Sequence, residues 1–497
     1  MARLPLALPP GGFSDGTDYQ GKGRWASSWG VRWYGPALGP IGGFRIKNGS
    51  TSALTGSARA ALAWKDNSAN SWLGIGTHSK LYVSNVLGAI FDVTPTVGFT
   101  SGRATATGAG GYGSGTFGSS TYGTPRPGTT EIVDATQWTL AAWGQDLLAV
   151  SPDDGKLRQW VTASGTGVVA ATVTNSPACK AVCVTAERFV FALATTDPRT
   201  VSWCDQEANT VWTPSTTNQA GSFPLDTKGR LMCGAGVKGA TLLLTDLGVH
   251  AATYIGGTAI YSFDKVGDNC GAISRQAAAP FGNQQLAWMS NSGFWQWNGG
   301  SVLPIRCDVY DYIHRDINLL QASKIVAVPN SAHSEIEFRY CSTNSTEIDR
   351  CVVWNHKFDY WVIGRPTRTC GVDMGVFQYP LLISSTGYIY EHEVGWAYGS
   401  DTPYAVSGPI ELGDGDNIME VTGMYPDDIT VGDVTATFTA RRNQDSPSTT
   451  YGPYSLTEKT DLRFSGGIVE MTVTGSAMDD WRVGIPKLNV VPGAGRG

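Results

Sequence analysis

Charge is scarce in this chain of 497 residues: Asp, Glu, Lys and Arg make up only 16% of it. No run of Lys or Arg is longer than two, as at Arg441-Arg442, and 36 basic against 42 acidic residues leave a net charge of −6. A chain that grips nucleic acid needs clustered Lys and Arg to displace counterions, and this composition argues against that class. Long apolar runs are missing too. Nowhere do about 18 apolar residues follow one another, so no helix of the sequence is expected to span a bilayer. The opening Met1-Ala2-Arg3-Leu4-Pro5-Leu6-Ala7-Leu8-Pro9-Pro10 has one basic residue and a short apolar run broken by proline. It reads as too short and too proline-rich for a secretory leader, so the chain is expected to stay in the cytoplasm unless it leaves inside a larger assembly. The nine cysteines are odd in number and contain no Cys-x-x-Cys pair, which points away from a disulfide framework or zinc knuckle. Buried free thiols are the expectation, with a Cys341–Cys351 pair across a hairpin as the minor alternative.

Catalytic and metal-binding patterns are equally thin. His78, His250, His314, His333, His356 and His392 have no metal-ligand spacing beyond Glu391-His392-Glu393, which reads as a turn at a strand end. No Gly-x-Ser-x-Gly elbow and no phosphate-binding loop occur. Gly413-Asp414-Gly415-Asp416-Asn417 gathers carboxylates but lacks the further acidic ligand that ends a calcium loop, so a plain turn is expected. The sequence therefore predicts no catalytic residue, no metal, no cofactor and no enzyme activity.

What is plentiful is glycine, with 62 residues, and tryptophan, with 17. Both suit an all-β chain with many tight turns. From about Thr136 to Tyr398 a short aromatic-tipped strand recurs, at Leu157-Arg158-Gln159-Trp160, Val201-Ser202-Trp203, Val249-His250-Ala251, Phe294-Trp295-Gln296-Trp297, Val352-Val353-Trp354 and Tyr388-Ile389-Tyr390. An earlier copy is Leu81-Tyr82-Val83. Each copy follows an apolar strand and a polar turn with Gly, such as Ser151-Pro152-Asp153-Asp154-Gly155-Lys156. A period of roughly 40–50 residues holding about four short strands predicts a β-propeller of six or seven blades. Ser151-x-Asp153-x-Gly155 resembles the Asp-box turn of sialidase propellers, a structural element there. A sialidase also needs converging arginines, and the arginines here look dispersed. The tryptophans sit inside strand patterns. Burying one removes roughly 150–250 Å² from water, worth roughly 4–6 kcal/mol as an upper bound at about 25 cal/mol per Å². Core use accounts for them without a sugar.

Three regions follow. Residues 1–24 read as an extended N-terminal arm, 25–400 as the propeller, and 401–497 as a β-sandwich module. The strands around Trp25–Trp29, Val31–Tyr34 and Pro40–Phe44 are expected to close the ring by pairing with the last blade. A Gly-rich insertion spans about 95–130, punctuated by Tyr112, Phe117 and Tyr122, which read as anchors for an inter-subunit or channel loop. One helix is expected, capped by Asp308 and Asp311, with Val309, Ile313, Ile317 and Leu320 on one stripe. In the last region Val434, Ala436, Phe438 and Ala440 alternate with polar residues, as do Val469, Met471 and Val473.

Several stretches, taken in order, resemble the tail hub or nozzle proteins of short-tailed bacteriophages, the group that includes packaged-DNA stabilisation proteins. They are Val31-Arg32-Trp33 with Pro40-Ile41-Gly42-Gly43-Phe44; Gly74-Ile75-Gly76-Thr77 with Leu81-Tyr82-Val83; and Asp92-Val93-Thr94-Pro95 before the insertion. Trp138-Thr139-Leu140, Trp143-Gly144-Gln145-Asp146-Leu147-Leu148 and Val211-Trp212-Thr213-Pro214 follow. The last region adds Ser407-Gly408-Pro409-Ile410-Glu411-Leu412-Gly413-Asp414-Gly415, Tyr451-Gly452-Pro453-Tyr454, Arg463-Phe464-Ser465-Gly466 and Trp481-Arg482-Val483-Gly484. Gly467 departs from the pattern, where an arginine is expected. The resemblance implies a homohexameric ring in the virion tail, below a portal-side adaptor ring, which retains packaged DNA and conducts it at ejection. Its implied partners are itself, the adaptor, a tail needle or fibre, and double-stranded DNA passing without sequence-specific contact. The alternatives weighed are a carbohydrate-binding or polysaccharide-degrading propeller and a scaffold of the WD-repeat type.

Overall fold

The computed structural model describes residues 2–17, 19–50, 53–108, 132–413, 417–476 and 478–496. They form a β-propeller joined to a two-layered C-terminal module. Seven four-stranded antiparallel sheets follow one another along the chain. Blade one is Ala58–Lys65, Ser71–Thr77, Leu81–Asn85 and Ile90–Asp92. Blade two is Thr139–Trp143, Asp146–Val150, Leu157–Trp160 and Ala171–Thr172; blade three is Ala181–Val184, Val190–Leu193, Thr200–Trp203 and Gly221–Pro224. Blade four is Leu231–Val237, Ala240–Thr245, Gly248–Gly256 and Ile260–Asp268; blade five is Ala278–Phe281, Gln285–Ser290, Gly293–Trp297 and Val302–Ile305. Blade six is Val326–Asn330, Glu335–Tyr340, Arg350–Asn355 and Tyr360–Gly364. Blade seven takes Arg368–Val372, Leu381–Ser384 and Ile389–His392 from late in the chain and Phe44–Ile46 from near its start. The first strand of blade seven lies against that of blade one, which closes the circle. Each recurring aromatic marker of the sequence is the third strand of its blade.

Tight turns and tryptophans explain why these residues stack. In blade two Gly155 has φ +64° and its N–H donates to the Ser151 carbonyl at 2.8 Å, closing the hairpin where a side chain would be strained. Twelve of the seventeen tryptophans are buried. Trp138 crosses from blade two to blade one, donating to the Thr77 carbonyl at 2.6 Å. Its ring lies where a Cβ on Gly76 would stand, only 2.5 Å away, so that strand position must be glycine. All nine cysteines are free, eight of them buried, and burial raises every one of these thiols.

The C-terminal module is built from both ends of the chain. One sheet runs Ala2–Pro5, Lys487–Arg496, Asn417–Tyr425, Thr460–Gly466. The other runs Trp25–Trp29, Tyr404–Ser407, Ile468–Gly475, Val434–Arg441, Thr449–Ser455, with Ile410–Glu411 also on Ile468–Gly475. Strand Val434–Arg441 alternates buried and half-buried along its length, as its sequence dictates. Its inward residues meet Val421, Leu462, Phe464 and Leu488 of the facing sheet in one core. Trp25, Trp33, Tyr360 and Val362 extend that core into blade six, so ring and module share apolar contacts.

Three expectations are corrected. Trp25–Trp29 does not close the ring. Trp25 and Trp33 are buried in the module's core, and that burial draws the segment to Tyr404–Ser407; only Phe44–Ile46 pairs with the last blade. The domain bounds shift accordingly, because Ala2–Pro5 and Trp25–Trp29 belong to the sheets of the last region. The helix is shorter than its apolar spacing suggests, Tyr310–Asp316, followed by a 3-10 turn over Leu319–Lys324. Asp308 does not cap it, being held by Arg24 and Arg306 instead; the Asp15 carboxylate accepts from the Asp311 N–H at 2.7 Å. The carboxylates of Asp414 and Asp416 lie outside the described residues.

Candidate functional site

Tyr112, Phe117 and Tyr122 also lie outside the described residues, but the roots of their insertion are in view. Thr107 and Val133 form an antiparallel bridge, with backbone hydrogen bonds of 2.9 and 3.0 Å. Below it the chain is sewn to the ring. The Gln321 side chain both accepts from and donates to the Ala106 backbone, at 3.1 and 3.3 Å. The Ala135 N–H donates to Ser323 Oγ at 3.0 Å, and Arg59 Nη2 donates to the Ala104 carbonyl at 3.3 Å. Arg59 itself is fully buried and forked onto Glu347 at 2.5 and 2.7 Å. Asp153, from the Asp-box-like turn, binds Arg103 at 2.6 Å and the Thr136 hydroxyl. The turn that the sequence singled out thus anchors one root of the insertion.

These bonds lie where the innermost strands begin. Gln137, ahead of blade two, donates to the Ile325 carbonyl ahead of blade six at 3.1 Å; Gln276, ahead of blade five, donates to the Trp138 carbonyl at 2.6 Å. Segments entering opposite blades therefore meet across the axis of the ring. Beside them opens a cleft of about 790 Å³ whose lining includes Asp134, Asp153, Asp197, Arg103, Arg230 and Arg275. Arg103 and Arg230 are neutralised there by Asp153 and Asp134, at 2.6 and 3.0 Å. Among the described residues Arg275 donates to backbone carbonyls alone, those of Leu231 and Met232, and burial together with nearby Arg230 lowers it to about 10. Lys324, fully buried in the same region, is lowered to about 8, chiefly by burial and then by Arg59.

A second cluster lies in the seam between blades six and seven. On strand Glu335–Tyr340 the residues Ile336, Phe338 and Tyr340 enter the apolar core, Phe338 packing 4.9 Å from the Phe294 ring. Period-two geometry sends Glu335, Glu337 and Arg339 to the opposite face. Arg32, carried in by the N-terminal strand Val31–Tyr34, bonds both oxygens of Glu335 at 2.7 and 2.6 Å and Glu393 at 2.7 Å. Burial would raise the Glu393 carboxyl, but the His333 hydrogen bond and the Arg32 charge outweigh it and hold Glu393 far below the usual carboxylate range. His392, buried beside Arg368 and Arg339, is driven well below the ordinary imidazole value. Glu391-His392-Glu393 ends the strand Ile389–His392 in a turn, as expected, with Glu393 at φ +59°, and it is also the meeting point of this network. Arg32, Arg339 and Arg368 line one cavity, which corrects the expectation that arginines stay dispersed. Arg32, hundreds of positions before Arg339 and Arg368, joins them only because the N-terminal segment inserts beside blade six. Among the described residues no group of three or more His, Cys, Asp and Glu gathers as a metal site.

No protein-family model matches the chain, and no curated protein matches it either. Solved structures similar to it include virginiamycin B lyase from Staphylococcus aureus, at 8% identity over 70% of this chain and 98% of that one, with a TM-score of 0.42. Another is YCF48 bound to a D1 peptide, at 7% identity over 71% and 97%, TM-score 0.39. A third is exo-β-1,3-galactanase from Phanerochaete chrysosporium, at 8% over 91% and 100%, TM-score 0.32. Likeness at this level concerns sheet architecture and carries no activity to this chain.

Proposed function

We propose that the chain is a structural protein of a short-tailed phage tail, one wall of a homohexameric lower channel that holds the packaged genome and conducts it at ejection. The observation that carries this reading is the interlock of ring and module. Residues 2–46 run through one sheet of the module, the other sheet, the charged seam and the last blade in turn. A reaction carried out in the ring has no need of such stitching, whereas a wall under internal pressure needs parts that cannot separate. The hydrogen bonds that span the axis add a constraint. DNA would pass between copies of the chain, since the middle of each propeller is bridged by the Gln137 and Gln276 side chains on backbone carbonyls. Six copies of a chain of net charge −6 favour an acidic or neutral bore, which a duplex slides past without phosphate contacts that slow it. In this reading a portal-side adaptor ring and a needle or fibre protein are the further partners, and the insertion with Tyr112, Phe117 and Tyr122 meets a neighbouring copy or the channel.

Native mass spectrometry of the purified chain, followed by imaging of the assembled ring, tests this. A sixfold closed ring supports it; a chain that stays monomeric at every concentration, or continuous Lys/Arg belts along the bore, would sink it. A second reading has one observation in its favour. The axial cleft is sugar-sized and contains three aspartates, Asp134, Asp153 and Asp197, where glycoside hydrolysis uses a pair of carboxylates. Release of reducing sugar from bacterial surface polysaccharide by the monomer, lost in Asp197→Asn, would support that reading instead.

A further inference from the structure

The seam between blades six and seven encloses a cavity of about 140 Å³, several times the ~30 Å³ that a water molecule occupies in the liquid. Exposed Arg365, Thr367 and Asp401 are among its lining residues, so it communicates with solvent. Charges inside it are matched in number but unevenly shared. Two carboxylates, Glu335 and Glu393, both sit on Arg32. Glu337 takes Nε and Nη2 of Arg339 through a single oxygen. Arg339 Nη1 is left buried with no hydrogen-bond partner among the described residues, on a residue that is 1% exposed.

No carboxylate among the described residues comes within ion-pair distance of Arg368, which is also buried. Its Nε donates to His392 Nε2 at 3.2 Å, so that nitrogen accepts and the imidazole is neutral, and its Nη1 donates to the Thr367 hydroxyl at 2.6 Å. The guanidinium lies 3.6 Å over the Tyr390 ring and 4.6 Å from that of Phe44, in the corner between two rings set at 76° to each other, whose π-faces stabilise a cation without neutralising it. Asn330, also in the lining, has an Oδ1 with no hydrogen-bond partner among the described residues, an acceptor of the kind that buried water satisfies. Buried guanidinium groups without an anion are costly, and their planar forks match a carboxylate.

We propose that this cavity is a binding site for a small free carboxylate, of the size of acetate, held between Arg339 Nη1 and the guanidinium of Arg368. The inference rests on the seam alone and is independent of the tail reading. A ligand there ties the second strand of blade six to the first strand of blade seven, and so reinforces the ring at the joint beside its closing strand.

Equilibrium dialysis of the full chain against labelled acetate, at constant ionic strength kept with chloride, tests it. Saturable binding of one acetate per chain is expected, weakened at least about tenfold in Arg368→Met. Arg339→Lys, which keeps the charge and loses the fork, is expected to weaken it likewise and serves if Arg368→Met does not fold. Absence of saturation, or equal uptake by wild type and either folded variant, would overturn the proposal and leave the cavity to water.

Discussion

At the scale of single residues, the seam concentrates the testable electrostatics. Arg32→Met strands Glu335 and Glu393 without their shared cation. Breaking a buried pair from one side costs about 3–5 kcal/mol, a loss that urea unfolding monitored by tryptophan fluorescence should reveal. The pH dependence has a definite sign. His78, His250, His356 and His392 are all lowered below 6.5, burial being the leading cause in each. The unfolded imidazoles take up protons as pH falls through 6.5 while the folded ones resist, so stability is complete above that value and declines below it. Glu393, lowered in the folded chain, adds a second decline once the pH drops under 4.5, its ordinary value. Thermal unfolding followed from pH 8 to pH 4 should show the midpoint falling in that order, and His392→Gln should flatten the first part. Lys324→Met should raise the midpoint more at pH 7, where the buried amine is charged, than at pH 10, where the folded amine has already lost its proton.

Among the strands and turns, the joint between neighbouring blades decides what is tolerated. Gly76→Ala forces a Cβ into the Trp138 ring and should cost roughly 1–3 kcal/mol by chemical denaturation, the range of an overpacked core. This joint also illustrates what the sequence discloses. The aromatic markers at Trp160, Trp203 and Trp297 are local patterns, each set by a hairpin a few residues long, and the alternation of Val434–Arg441 is just as local. They identify the propeller and the layered last region because period and burial are read within one strand. Trp25 and Trp33 look the same whether they close a ring or fill a core 380 positions downstream, and nothing near them in sequence decides between the two. The seam was hidden for the same reason. Arg32, Glu335 and Glu393 carry no shared spacing, and only the Glu-x-Glu-x-Arg row of Glu335, Glu337 and Arg339, charged residues facing one way on a strand otherwise apolar, hinted at a buried polar face. Asp308 promised a helix cap by its position, yet Arg24 and Arg306 claimed it through contacts no window of the sequence contains.

For the molecule as a whole, the contribution of residues 2–29 to both sheets of the C-terminal module sets the mode of failure. Deleting that segment leaves Lys487–Arg496 and Tyr404–Ser407 as bare edges and removes Trp25 from the shared core. Calorimetry should then resolve two transitions in place of one, and limited proteolysis should cut first beyond residue 404 while the blades persist. The pairing of Ala2–Pro5 with Lys487–Val490 has a temporal meaning as well. A ribosome delivers the first of these strands hundreds of peptide bonds before the second exists, so Ala2–Pro5 must wait, unpaired, until Lys487–Val490 has been made. Seven blades can fold in sequence as they emerge, but the clasp snaps shut only after Lys487–Val490 has emerged. A chain stopped before Lys487 would therefore lack this fastening.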